Sequence, residues 1–99
     1  ASLAQALSEA RRVSHTVDGI LTWLNEADPR RAPDRFKAVC NILPVLGHGD
    51  LANLLRVIGE QYVQTITLTK EEQAWPSTQI QATLLQRKRD LITRCLDKT

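Results

Sequence analysis

Apolar residues recur in steps of three and four from the start of the chain: Leu3, Leu7, Ala10, Val13, Val17, Ile20, Leu21 and Leu24. That is the helical period, and it predicts one long amphipathic helix over about Ser2–Asn25. Gly19 is its weak point, about 1 kcal/mol less favourable than alanine in a helix interior. The helix should stop within Glu26–Pro33, where Pro29 and Pro33 bracket a charged loop.

A second helix is predicted from Pro33, a residue suited to the first helical turn. Asp34 adds an acid near the positive end of its dipole. Phe36, Val39, Cys40 and Leu43 form its inward stripe, and Pro44 ends or kinks it. The corner Asn41–Asp50 reads NILPVLGHGD. Gly47 can take the left-handed conformation common just past a helix end, His48 points to water, and Asp50 caps the next helix.

Leu51, Leu54, Leu55, Ile58 and Tyr62 line one face of that third helix. Thr65–Thr69, TITLT, is rich in β-branched residues and is assigned to a connector. Thr69 and Glu72 match a capping box, which predicts a short turn over Lys70–Trp75. After Pro76 the last helix spans about Thr78–Leu96. Its broad stripe is Ile80, Leu84, Leu85, Leu91, Ile92, Cys95 and Leu96. Trp75 is expected to plug the end of the assembly. Each long helix has one apolar side, so the expected fold is all-α: an antiparallel bundle of four helices with a fifth short turn.

Composition sharpens this picture. The chain has 99 residues, which suits a single domain. Hydrophobic residues make up 42%, enough for a core, but the only aromatics are Trp23, Phe36, Tyr62 and Trp75. The core must therefore be aliphatic, which favours packed helices. The chain contains no Met, from which we expect a domain excised from a larger protein. No apolar run is long enough to span a bilayer, and no signal peptide is visible. Cys40 and Cys95 are read as buried thiols of an intracellular protein; a bridge between them has no support in the sequence.

Thirteen basic against 11 acidic side chains leave a net charge of +2, too balanced by itself to mark a nucleic-acid binder. The candidate zinc ligands His15, Cys40, His48 and Cys95 lack the close pairing that zinc sites use, so no metal or other cofactor is expected. No nucleophile motif, phosphate-cradling loop or paired catalytic carboxylates occur, so an enzyme is not expected. A helix-turn-helix around Gly47 is opposed by Pro44 and by a following helix whose only cation is Arg56.

Two features remain. The densest basic run is Arg87-Lys88-Arg89, followed by Arg94 and diluted by Asp90 and Asp97. Lys88 falls in the middle of the apolar stripe, so either its stem lies over the core or this part of the stripe faces a partner. Trp23 lies well away from the predicted stripe of the first helix, on the side of Arg12. An exposed tryptophan beside an arginine would be an interface anchor, unless the following loop covers the indole.

The expectation is a non-catalytic protein–protein interaction domain, an adaptor or scaffold that binds a partner helix or peptide. Its candidate contacts are Arg12, Trp23, Arg87, Lys88, Arg89 and Arg94. Self-association is a close variant, through a heptad-like seam at Leu3, Leu7, Ala10, Val17, Leu21 and Leu24. The alternative is a nucleic-acid-binding module using the basic last helix. No membrane partner is expected.

Overall fold

A computed structural model describes residues 3–98, so the expected helix start at Ser2 lies outside the described residues. The fold is all-α. Six helices occur among the described residues: α1 Leu3–Arg12, α2 Val17–Glu26, α3 Pro33–Ile42, α4 Gly49–Ile66, α5 Lys70–Gln73 and α6 Ser77–Asp97. Helix α4 packs on α3 and α6, α1 packs on α3, and α2 packs on α6. The molecule measures 44 × 29 × 19 Å. No helix among the described residues is long and apolar enough to cross a membrane.

The first correction concerns the expected single helix over Ser2–Asn25, which is two helices. Val13, Ser14, Thr16 and Val17 are all poor helix formers, and serine and threonine hydroxyls compete for nearby backbone groups. Thr16 adopts an extended backbone and its hydroxyl accepts from the Gly19 N–H at 3.0 Å, capping α2. The Ser14 and Thr16 hydroxyls lie 3.0 Å apart. A β-carbon on Gly19 would fall 1.8 Å from the Ser14 hydroxyl oxygen. Gly19 is therefore not a weak point in a long helix; it lets the capping loop close onto the start of α2.

The break resets the inward faces. On α1 the buried residues are Ala6, Glu9 and Ala10, while Leu3 is 75% exposed. On α2 and its end the buried stripe is Ile20, Trp23, Leu24 and Ala27, at spacings of three and four, with Leu21 beside it. The heptad-like seam is thus interrupted, and its Ala10, Leu21 and Leu24 are buried in the chain's own core.

Helix α3 follows the expectation: Phe36, Val39, Cys40 and Leu43 are buried. Beyond it the chain makes one further turn. The Gly47 N–H donates to the Pro44 carbonyl at 3.1 Å and the His48 N–H to the Leu43 carbonyl at 2.8 Å. With Gly47 at φ 84°, this is a Schellman closure. His48 is exposed, and it occupies the cap position of α4 without a side-chain bond. Asp50 therefore is not the cap. It sits in the first turn of α4, where its charge favours the dipole.

Leu51, Leu54, Leu55, Ile58 and Tyr62 of α4 are buried as expected. The connector is shorter than the whole of Thr65–Thr69, because α4 continues to Ile66. The Thr65 hydroxyl donates to the Gln61 carbonyl at 2.8 Å, and this back-bonding lets a β-branched residue end a helix. The capping box then starts α5. The Glu72 N–H donates to the Thr69 hydroxyl at 3.1 Å, and the Thr69 N–H donates to the Glu72 carboxylate at 2.9 Å. Trp75 does not plug the bundle, being 37% exposed.

Both cysteines are buried free thiols. Burial pushes the Cys40 thiol up from its ordinary value of 9.0 to about 11, with Arg56 opposing the rise. The folded state therefore holds the proton more tightly than the unfolded chain. Its stabilising contribution is complete below about pH 9 and is lost as pH rises towards 11. Urea midpoints should fall over that window, and Cys40→Ala should flatten the decline. A decline of equal size in the variant would remove Cys40 as its source.

Candidate interaction surface

Successive helical residues project about 100° apart, so a run of three basic residues on α6 cannot form one surface. The Arg87 guanidinium donates to the Glu72 carboxylate of α5 and to the Thr67 carbonyl at 3.3 Å. Lys88 places its ammonium 5.8 Å from the centre of the Tyr62 ring, a cation–π contact. Arg89 donates to Asp18 of α2 at 2.8 Å. Arg94 is exposed and turns back to the Asp90 carbonyl at 3.4 Å. The expected basic face is in fact three separate contacts that fasten α6 to its neighbours. Lys88 is half-buried, and its charge lies over the face of the Tyr62 ring.

Glu72 is central to one of these contacts, and only its capping role was expected. The Thr69 backbone N–H first, and then the Arg87 guanidinium, hold its carboxyl below the usual range, against the effect of burial. Glu9 and Arg35 form another partly buried ion pair, joining α1 to α3. One Glu9 carboxylate oxygen has no hydrogen-bond partner among the described residues. The sequence signal for Glu9 was its place beside Ala6 and Ala10 at helical spacing.

Of the two readings left open for Trp23, an exposed anchor or a covered indole, the structure shows the covered one. Its indole is 3% exposed and stacks on Phe36 of α3, with ring centres 5.5 Å apart and planes 30° apart. The covering group is a helix and not only the loop after α2. Its ring N–H has no hydrogen-bond partner among the described residues. Arg12 is exposed and forms a surface ion pair with Glu26 at 3.1 Å, an interaction worth about 0–1 kcal/mol. Arg12 and Trp23 do border one depression, of about 260 Å³, but the indole is almost wholly buried.

The apolar stripe of α6 is divided. Leu91 and Ile92 are 1% and 0% exposed, whereas Leu85 is 47% exposed and Ile80 and Leu84 are only half-buried. Helix α6 has 21 residues and α2 only 10, so α2 covers part of its length. Asp18 near the start of α2 already reaches Arg89.

Beside Leu84 a cleft of about 270 Å³ lies between the loop after α2 and α6. Asn25, Asp28, Arg30, Arg31 and Lys88 supply its polar lining; Ile66, Leu68 and Leu84 supply its apolar lining. Asp28 is fixed on all sides. One carboxylate oxygen accepts the Arg30 and Arg31 backbone N–H groups at 2.7 and 3.3 Å, and the other accepts the Tyr62 hydroxyl at 3.0 Å. Burial first, and this bond second, push the Tyr62 phenol well above its ordinary range; Arg30 and Arg31 oppose the rise.

Among the described residues no three His, Cys, Asp or Glu side chains are grouped as a metal site requires. His15 and His48 are both exposed. Comparison with protein-family models, with curated proteins and with solved structures finds no match to this chain.

Proposed function

We propose that this is a non-catalytic protein–protein interaction domain of an intracellular adaptor or scaffold. It takes a partner helix or peptide, or a second copy of itself, along the first half of α6. The observation that carries this is the divided stripe: the residues that α6 buries at Leu91 and Ile92 it leaves open at Leu85. Exposed apolar residues in one row on a helix are what a helix-in-groove partner covers. Two buried thiols without a bridge support the intracellular setting. The scatter of the basic run over three contacts supports a protein partner over nucleic acid, because phosphate binding needs cations on one face.

Leu85→Glu tests the surface. The side chain is half-exposed and a glutamate here can pair with Arg89 one turn on, so stability should change by no more than about 0.5 kcal/mol. Concentration-dependent sedimentation and affinity capture from the native source should both be run on this variant. Loss of self-association or of captured partners is expected. Unchanged oligomeric state together with unchanged captured partners would remove this face of α6.

A further inference from the structure

Four arginines of this chain are held by carboxylates: Arg12 by Glu26, Arg35 by Glu9, Arg87 by Glu72 and Arg89 by Asp18. Arg30, Arg31 and Lys88 are not; among the described residues none of the three forms an ion pair. Yet they line the same cleft, drawn from the loop after α2 and from α6. The one carboxylate among them, Asp28, is engaged by two backbone N–H groups and by the Tyr62 hydroxyl. Tyr62 is itself 1% exposed, so this bond ties the loop to the core and sets where the two arginines stand. The Ala32 N–H closes the loop on the Asp28 carbonyl at 2.7 Å.

We propose that this cleft seats an acidic amphipathic segment of a partner protein, with Arg30, Arg31 and Lys88 meeting its carboxylates and Leu68 and Leu84 meeting its apolar side chain. The proposal rests on the interaction-domain reading and extends it. Leu84 belongs both to the cleft and to the open part of the α6 stripe, so one peptide can cross both. Three cations against one internally satisfied carboxylate select an acidic ligand by charge complementarity. The apolar lining selects a side chain over a phosphodiester, and no aromatic residue lines the cleft as a stacking platform for bases. The guanidiniums suit carboxylates because their planar fork can donate two bonds at once.

The probe is a fluorescein-labelled synthetic helix with leucines on one face and glutamates on the other. Its comparators replace every glutamate by glutamine, or every leucine by alanine, and a labelled mixed-sequence oligonucleotide supplies the nucleic-acid arm. Fluorescence anisotropy at low salt should show binding of the Leu/Glu helix and weaker binding of both peptide comparators. Reversing the two loop charges together, Arg30→Glu with Arg31→Glu, should weaken it about tenfold or more. The milder pair Arg30→Gln with Arg31→Gln should fall between, and guards against a folding defect that circular dichroism would also reveal. Arg11→Glu, an exposed arginine outside the cleft, should leave binding unchanged.

No binding of the Leu/Glu helix overturns the proposal. So does binding that survives the double reversal, or an oligonucleotide that depends on Arg30 and Arg31 when the helix does not. If the reversal leaves helix binding intact while Leu85→Glu abolishes it, the cleft fails and the α6 surface stands. If Leu85→Glu is silent and the reversal abolishes binding, the α6 surface fails and the cleft stands.

Discussion

Replacing Trp23 with alanine is expected to cost about 3–5 kcal/mol of folding stability, the usual range for an aromatic removed from a core. Small domains hold only about 5–15 kcal/mol in total, so the variant should be partly unfolded well below the wild-type melting temperature. The cost has two sources. The indole is 3% exposed, so its removal leaves a cavity that rigid helices cannot close. It also loses its stack on Phe36, where the ring centres lie 5.5 Å apart, and such pairs add about 0.5–1.5 kcal/mol beyond buried area. Because the indole N–H already lacks a partner, Trp23→Phe keeps most of the packing and removes an unsatisfied donor. It should therefore lie much nearer the wild type than Trp23→Ala. Urea denaturation followed by circular dichroism gives both values. An alanine variant as stable as the wild type would mean that the indole sits on the surface.

Trp23 also marks where the sequence was legible and where it was not. Helices α3, α4 and α6 were legible because their stripes are long and bounded by strong signals: Pro33, Gly47 and Pro76. The short α5 was legible because the capping box is a local device, complete within four residues from Thr69 to Glu72. The α1–α2 break was missed because apolar residues at steps of three and four continue across it. The local chemistry of Ser14 and Thr16 was outweighed by that period. Once α2 is treated alone, Ile20, Trp23, Leu24 and Ala27 read as its inward face, and Thr16 as its cap.

The candidate site was legible only as a set of residue types. The basic run could be seen, but its acids Glu72 and Asp18 lie 15 and 71 residues away, and only tertiary packing brings them near. The contact between Tyr62 and Asp28 spans 34 residues and has no pattern in the chain. The sequence Asp28-Pro29-Arg30-Arg31 did carry a signal. An aspartate two and three residues before backbone N–H groups forms an Asx turn, which orders the arginines that follow. What made those arginines a candidate surface was that no carboxylate among the described residues pairs with their guanidiniums, and that is a property of the fold alone.

The other large effect is a contrast within one helix. Leu91→Ala is expected to cost about 2–5 kcal/mol, whereas Leu85→Ala should cost no more than about 0.5 kcal/mol. Both substitutions remove the same atoms from α6, and leucine and alanine have similar helix propensities. The difference must come from what lies across from each side chain. Leu91 is 1% exposed and belongs to the core with Ile92 and Cys95. Leu85 is 47% exposed, so its side chain already contacts water and leaves no cavity when shortened. Chemical denaturation of the two variants, with equal slopes, measures the contrast directly. If Leu85→Ala destabilised the domain as much as Leu91→Ala, the first half of α6 would be fully packed within the chain. It would then have no apolar face to offer, and the proposed partner surface would have to lie elsewhere. If the contrast holds, the apolar character of Leu85 adds little to folding, and its side chain stays open to the partner we propose.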